Sequence, residues 1–150
     1  MDKNFLNIYN NLIKLTRNKL LYNNKLSNES FSDRLIIFLF HFVFFLKIYK
    51  KKSNKVEFQN LYDFIFYQIE LSIREIGYGD STVNKKMKEY INLFYKIIDK
   101  VELWDRLNFD EKIEFFSKFL DVTYENSFYV DYFNKYSIYL TKKSFNYFTK

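Results

Sequence analysis

Apolar residues recur along this chain at intervals of three and four, the period of an α-helix, and rarely alternate as strand residues would. A first segment, Asn4 to Leu21, sets Phe5, Ile8, Leu12, Leu15 and Lys19 near one face. Asn23 to Ser30 is polar and reads as a loop. A second helix is predicted over Asp33 to Lys51, with Ser32 as its N-cap and a lysine cluster at its negative end. A third, Lys55 to Ile76, carries the stripe Tyr62, Ile65, Phe66, Ile69, Ile73, Ile76. Gly77 is a natural left-handed stop, with Tyr78 placed to contact the last turn. Gly79 offers a second free backbone position, and Asp80 or Ser81 is the expected cap of a fourth helix, Thr82 to Leu103. Its stripe is Val83, Met87, Tyr90, Ile91, Phe94, Ile98, Val101. So short a turn predicts that the third and fourth helices are neighbours. Asn108 and Glu111 form a capping box before a fifth helix, Phe109 to Val122, with Ile113, Phe116 and Leu120 inward. The last segment, Asn126 to Tyr147, carries Phe128, Tyr132, Tyr136, Tyr139 and Leu140; so many tyrosines suit a partly exposed or partner-facing surface.

The expected architecture is therefore all-α, a single compact domain of five or six helices over residues 1–150. Composition supports this. The chain has no Pro and only 2 Gly, too few for the frequent turns of a β-sandwich or barrel. No interdomain linker or internal repeat interrupts it.

The strongest apolar run, Leu35 to Leu46, needs separate treatment. Twelve helical residues reach ~18 Å, short of a hydrocarbon layer of ~30 Å. Extending the run draws in Asp33, Arg34 and Lys47. It reads as a buried central helix, with a helix touching a membrane surface as the alternative. The N-terminus lacks a long apolar core and a small-residue cleavage site, so no secretory signal is expected.

Charge changes the picture little. The formal charge is +6, from 24 Lys+Arg against 18 Asp+Glu, but nearly all the cations are lysine. With no Ala or Pro and abundant Asn, Ile, Phe and Tyr, this looks like an AT-rich coding bias. The clusters Lys47–Lys55 and Lys85–Lys88 suit either a solvated basic face or an adaptor binding an anionic membrane surface or RNA. No DNA partner is expected.

Candidate chemistry is sparse. With Cys 0 and His 1, disulfides, thiolate metal sites and networks of several histidines are impossible. His41 lies within the apolar run and reads as a packed residue with a satisfied ring nitrogen. Gly77-Tyr78-Gly79-Asp80, with Lys85 and Lys86 following, presents free N–H groups at a helix start, which favour an anion. It lacks the preceding strand and the glycine spacing of a nucleotide loop, and Asp80 repels phosphate. Asp63, Glu70, Arg74, Glu75 and Asp80 form a charged ridge leading into that turn, either a solvated face held by ion pairs or a recognition surface. No nucleophile with a nearby base is visible, so no enzyme, metal or cofactor is expected.

The segment LYDFIFYQIELSIREIGYGDSTVNKKMKEYINLFYKII resembles the ubiquinol–cytochrome c chaperone family. The residues carrying the resemblance are Leu61, Asp63, Phe66, Glu70, Arg74, Glu75, Gly77, Gly79, Asp80, Val83, Lys85, Lys86, Met87, Phe94 and Tyr95, with Arg34 and His41 on the earlier helix. Residues 31–98 form the family-like core. Glu70 stands where Asp is usual, Ile73 where Leu precedes Arg-Glu, and Lys96-Ile97 where Gly-Arg is usual. The resemblance implies an all-α, non-enzymatic assembly factor of the cytochrome bc complex. It implies newly made cytochrome b as client, with a small partner subunit, the ribosome and the inner membrane as associates. The length and N-terminus suggest a bacterial-type member, cytoplasmic and peripheral on the inner face of the inner membrane. The expected partner-binding residues are Asp63, Glu70, Arg74, Glu75, Gly77, Tyr78, Gly79, Asp80, Lys85, Lys86 and Tyr95, with Gly77 and Gly79 also forming the structural turn.

Overall fold

A computed structural model describes residues 2–22, 31–50, 54–120 and 126–150. They form six α-helices, and no strand occurs among the described residues: α1 (Asp2–Thr16), α2 (Phe31–Tyr49), α3 (Lys55–Glu75), α4 (Asp80–Val101), α5 (Phe109–Phe119) and α6 (Ser127–Thr141). Single 3-10 turns follow at Lys19–Leu21, Trp104–Arg106 and Phe145–Thr149. The predicted loop Asn23–Ser30 lies outside the described residues, as do Lys51, Lys52 and Val122.

The helix α2 is the axis of the fold. No charged side chain occurs between Leu35 and Leu46, and a helix apolar on all sides must be surrounded. Every residue from Leu35 to Leu46 is buried except half-buried Ile36. Helices α1, α4 and α6 pack around it, α3 lies on α1 and α4, and α5 lies on α6. No helix among the described residues is long and apolar enough to cross a membrane.

The core is built from aromatic rings. Phe133 stacks on Phe44 at 5.2 Å and on Phe116 at 5.5 Å. Phe40 meets Phe116 and Phe133 edge-on at 5.4 and 5.7 Å. Such offset and edge-on pairs are the favourable geometries, so a core without alanine still closes. His41 sits inside this cluster. Its Nδ1 lies 2.9 Å from the Ile37 carbonyl, which can only accept, so Nδ1 carries the hydrogen. Its Nε2 lies 2.7 Å from the Tyr132 hydroxyl and accepts from it. Burial pushes the imidazole pKa down to about 4, so the ring is neutral at physiological pH.

Several expected boundaries move, for local reasons. α1 stops at Thr16, not Leu21: the Thr16 hydroxyl donates to the Leu12 carbonyl, and Asn18 starts a separate turn by accepting from Leu20 N. Lys19 is exposed as a result, and Leu21 is buried in its place. Ser32 lies inside the first turn of α2, because half-buried Phe31 joins the helix to reach the core. α4 begins at Asp80 and ends at Val101; its N-cap is Gly79, not Asp80 or Ser81. On its inner face Ile97 is buried and Ile98 only half-buried. The capping box forms as expected, with Asn108 Oδ1 accepting from Glu111 N at 2.8 Å and Glu111 Oε1 accepting from Asn108 N at 3.0 Å.

The tyrosines of α6 depart most from expectation. Tyr129 and Tyr136 are buried, and Tyr132 is half-buried against His41. Tyr129 donates to the Leu21 carbonyl at 2.6 Å. In the same manner Tyr22 donates to the Thr16 carbonyl at 2.7 Å, and Tyr49 to the carbonyls of Leu140 and Lys143 at 2.8 and 3.0 Å. Each hydroxyl thus reaches a carbonyl at the end of a helix or turn, where intrahelical partners run out, although the Leu140 carbonyl also accepts from Lys143 N at 3.2 Å.

Candidate functional site

The junction of α3 and α4 gathers most of the charged ridge. Gly77 has φ +108, a conformation side chains other than glycine's rarely adopt. It reverses the chain after Ile76. Gly79 has φ −73 and ψ 167, ordinary extended backbone, and a Cβ there would meet nothing within 4 Å. Only one of the two glycines is therefore required by the turn itself. The second free backbone position expected at Gly79 is not used.

Across this turn Arg74 holds two carboxylates. Its Nη1 lies 2.6 Å from Asp80 Oδ1, and its Nε 3.3 Å from Glu70 Oε2. Asp80 first, then Glu70, hold the guanidinium still more firmly protonated. Asp80 is the first residue of α4, one past the N-cap Gly79, and the helix has no side-chain cap. The clamp is open to solvent: Asp80 is 85% exposed and Arg74 39%.

The other expected residues scatter. Asp63 accepts from Gln59 Nε2 at 2.9 Å, two turns before Glu70, and is outside the clamp. Tyr78 is 41% exposed and bears the Lys86 ammonium over its ring at 5.0 Å. Lys85 is exposed. Tyr95 is also exposed, and its neighbour Phe94, packed on Phe66 at 5.3 Å, ties α4 to α3. In the lysine cluster ending α2, Lys47 pairs with Asp105 at 2.8 Å and Lys50 with Glu102 at 2.5 Å. These two lysines brace the fold as well as carrying charge.

Glu75 points elsewhere. With Arg34 it lines an open trough of about 450 Å³ between α1, α2 and α3. Ile76, expected in the core stripe, is 50% exposed and lines the same trough, as does Arg17. Neither residue has a local signal for this role, since three separated segments build the trough. Among the described residues no group of three or more His, Asp or Glu could hold a metal ion.

The family model for the ubiquinol-cytochrome C chaperone matches residues 27–103. The match covers about half of the 150 residues and runs from the approach to α2 through the Arg74 clamp to the end of α4. The chain belongs to this family. No curated protein and no solved structure matches it. In this member of the family the motif residues divide between two surfaces. Glu70, Arg74 and Asp80 form the clamp, while Arg34 and Glu75 line the trough on the other side of α3. His41, also a motif residue, serves the core that supports both.

Proposed function

We propose that this protein is a non-enzymatic assembly factor that binds newly made cytochrome b during biogenesis of the ubiquinol–cytochrome c reductase complex. The observation that carries the reading is the family match, which spans the clamp and the α2 and α3 sides of the trough. The chemistry of the surface supports it. A client made of apolar helices needs exposed apolar and aromatic area to hold it off aggregation, and Tyr67, Ile76, Tyr78 and Tyr95 supply such area along α3 and α4. An exposed clamp of defined geometry supplies polar specificity. The protein acts in the cytoplasm at the inner face of the inner membrane, where the client is inserted, with a small partner subunit and the ribosome as associates.

Deletion of the gene tests the reading. Cytochrome b, measured by its reduced-minus-oxidised spectrum in membranes, should fall sharply, and normal levels of the complex would sink the proposal. Complementation with Arg74→Ala or Asp80→Ala should restore less cytochrome b than wild type at equal protein abundance.

A further inference from the structure

The trough has a direction. Phe5 meets Phe64 at 5.9 Å and Tyr9 meets Phe38 at 5.7 Å. α1 therefore runs alongside α3 and opposite to α2. Tyr9, Ile13 and Arg17 form one wall at four-residue spacing, Ile69, Ser72 and Ile76 the other, and Phe31, Leu35 and Phe38 the floor. Eight residues of helix make the walls about 12 Å long, two helical turns. The end near Tyr9, Phe38 and Ile69 is apolar. Arg17, Arg34 and Glu75 also line the trough, and Lys14 lies one turn back along α1 beside Arg17.

Two of the three hydroxyls lining the trough are already committed. Thr16 donates to the Leu12 carbonyl and Ser72 to the Gln68 carbonyl, both within their own helices. The walls are helical, so they present no spare backbone N–H groups. An extended peptide laid along the walls would find backbone donors only at the first turn of α2, at one end of the trough. A helix satisfies its backbone internally and needs only an apolar face. Arg17, exposed and without an ion-pair partner among the described residues, asks for a carboxylate.

We infer that the α1–α2–α3 trough is a docking site for a partner α-helix that presents two turns of apolar side chains followed by an acidic residue, the acid meeting Arg17. This rests on the chaperone reading above and specifies the chemistry of what is held. The Glu75 carboxylate lining the trough disfavours an isolated anionic headgroup and leaves an acceptor for the partner's polar flank.

The test uses the full chain and a fluorescein-labelled 16-residue helical peptide with Leu at i, i+3, i+4 and i+7 and Glu at i+11, followed by fluorescence anisotropy. A Lys-for-Glu peptide, a peptide with central Pro, and phosphatidylglycerol–phosphatidylcholine vesicles complete the set. The Glu peptide should bind at least about tenfold more tightly than the Lys and Pro peptides. Arg17→Glu should reverse the Glu/Lys preference, and Ile76→Glu should weaken both peptides about tenfold. Both substituted residues are exposed, and the reversed preference is a gain that a misfolded variant cannot produce. Equal binding of the Glu and Lys peptides, or unchanged binding by both variants, overturns the site. Vesicle binding lost in the variants, without peptide binding, overturns it in favour of lipid. If Ile76→Glu and Arg17→Glu leave cytochrome b yield normal in cells where deletion abolishes it, the trough fails and the chaperone reading stands.

Discussion

Two polar clusters of this protein use the same kinds of hydrogen bond in opposite surroundings. His41 and Tyr132 meet in the aromatic core, while Arg74, Glu70 and Asp80 meet in solvent. In the core, water cannot replace a lost partner, so each bond is a condition of stability. At the α3–α4 junction water replaces either carboxylate readily, and exposed ion pairs are worth little. The buried pair therefore accounts for itself through the fold. The exposed clamp does not, because its ion pairs add little to stability.

The sharpest way to test the contrast is to damage the core. Phe133→Ala removes a fully buried ring stacked on three neighbours and should cost about 3–5 kcal/mol, read from urea unfolding. Next comes protonation of His41. Its pKa is about 4 in the folded protein against 6.5 when unfolded. The unfolded chain thus binds the proton first as pH falls, and stability drains between pH 6.5 and 4 by roughly 3 kcal/mol. His41→Phe should flatten that slope relative to wild type; an unchanged slope would assign it to other groups. Tyr132→Phe, which leaves Nε2 without a donor, should cost about 1–3 kcal/mol at pH 7.

The two glycines separate fold from recognition within the junction itself. Gly77→Ala forces a side chain into positive φ and should cost about 1–3 kcal/mol. Gly79→Ser should leave stability equal or slightly higher, because serine supplies the missing cap of α4. A loss of cytochrome b with Gly79→Ser would then report on contact with a partner. The smallest effect expected is on the melting temperature of Arg74→Ala, which should match wild type. A drop of several degrees would show that the clamp pins the turn and would return it to the fold.

Local signals in the sequence marked some of this. The stop at Gly77, the Asn108–Glu111 box and the apolar run of α2 each depend on neighbours within a few residues, so they were legible. The inward tyrosines of α6 were not, because their partners His41 and Leu21 lie 91 and 108 residues away. The exposure of Ile76 depends on where α3 ends relative to α1, which periodicity cannot express. The Arg74–Asp80 bridge depends on the angle of the Gly77 turn, although both residues stood out as a motif. The trough had no signal beyond Arg34 and Glu75, since its third wall comes from a helix outside the matched segment.

The tyrosine hydroxyls bonded to terminal carbonyls carry one more consequence. Tyr129 closes the turn at Leu21 and Tyr49 closes the end of α6, each arriving from a remote part of the chain. Glycine and proline end a helix by local geometry, before any tertiary structure exists. Here the Leu21 carbonyl gains a partner only after collapse has brought the ring in, and the Leu140 carbonyl, already bonded to Lys143 N, gains a second. Termination and collapse are thereby one event, so the ends of these helices should lose amide-exchange protection together with the centre of the core, not ahead of it.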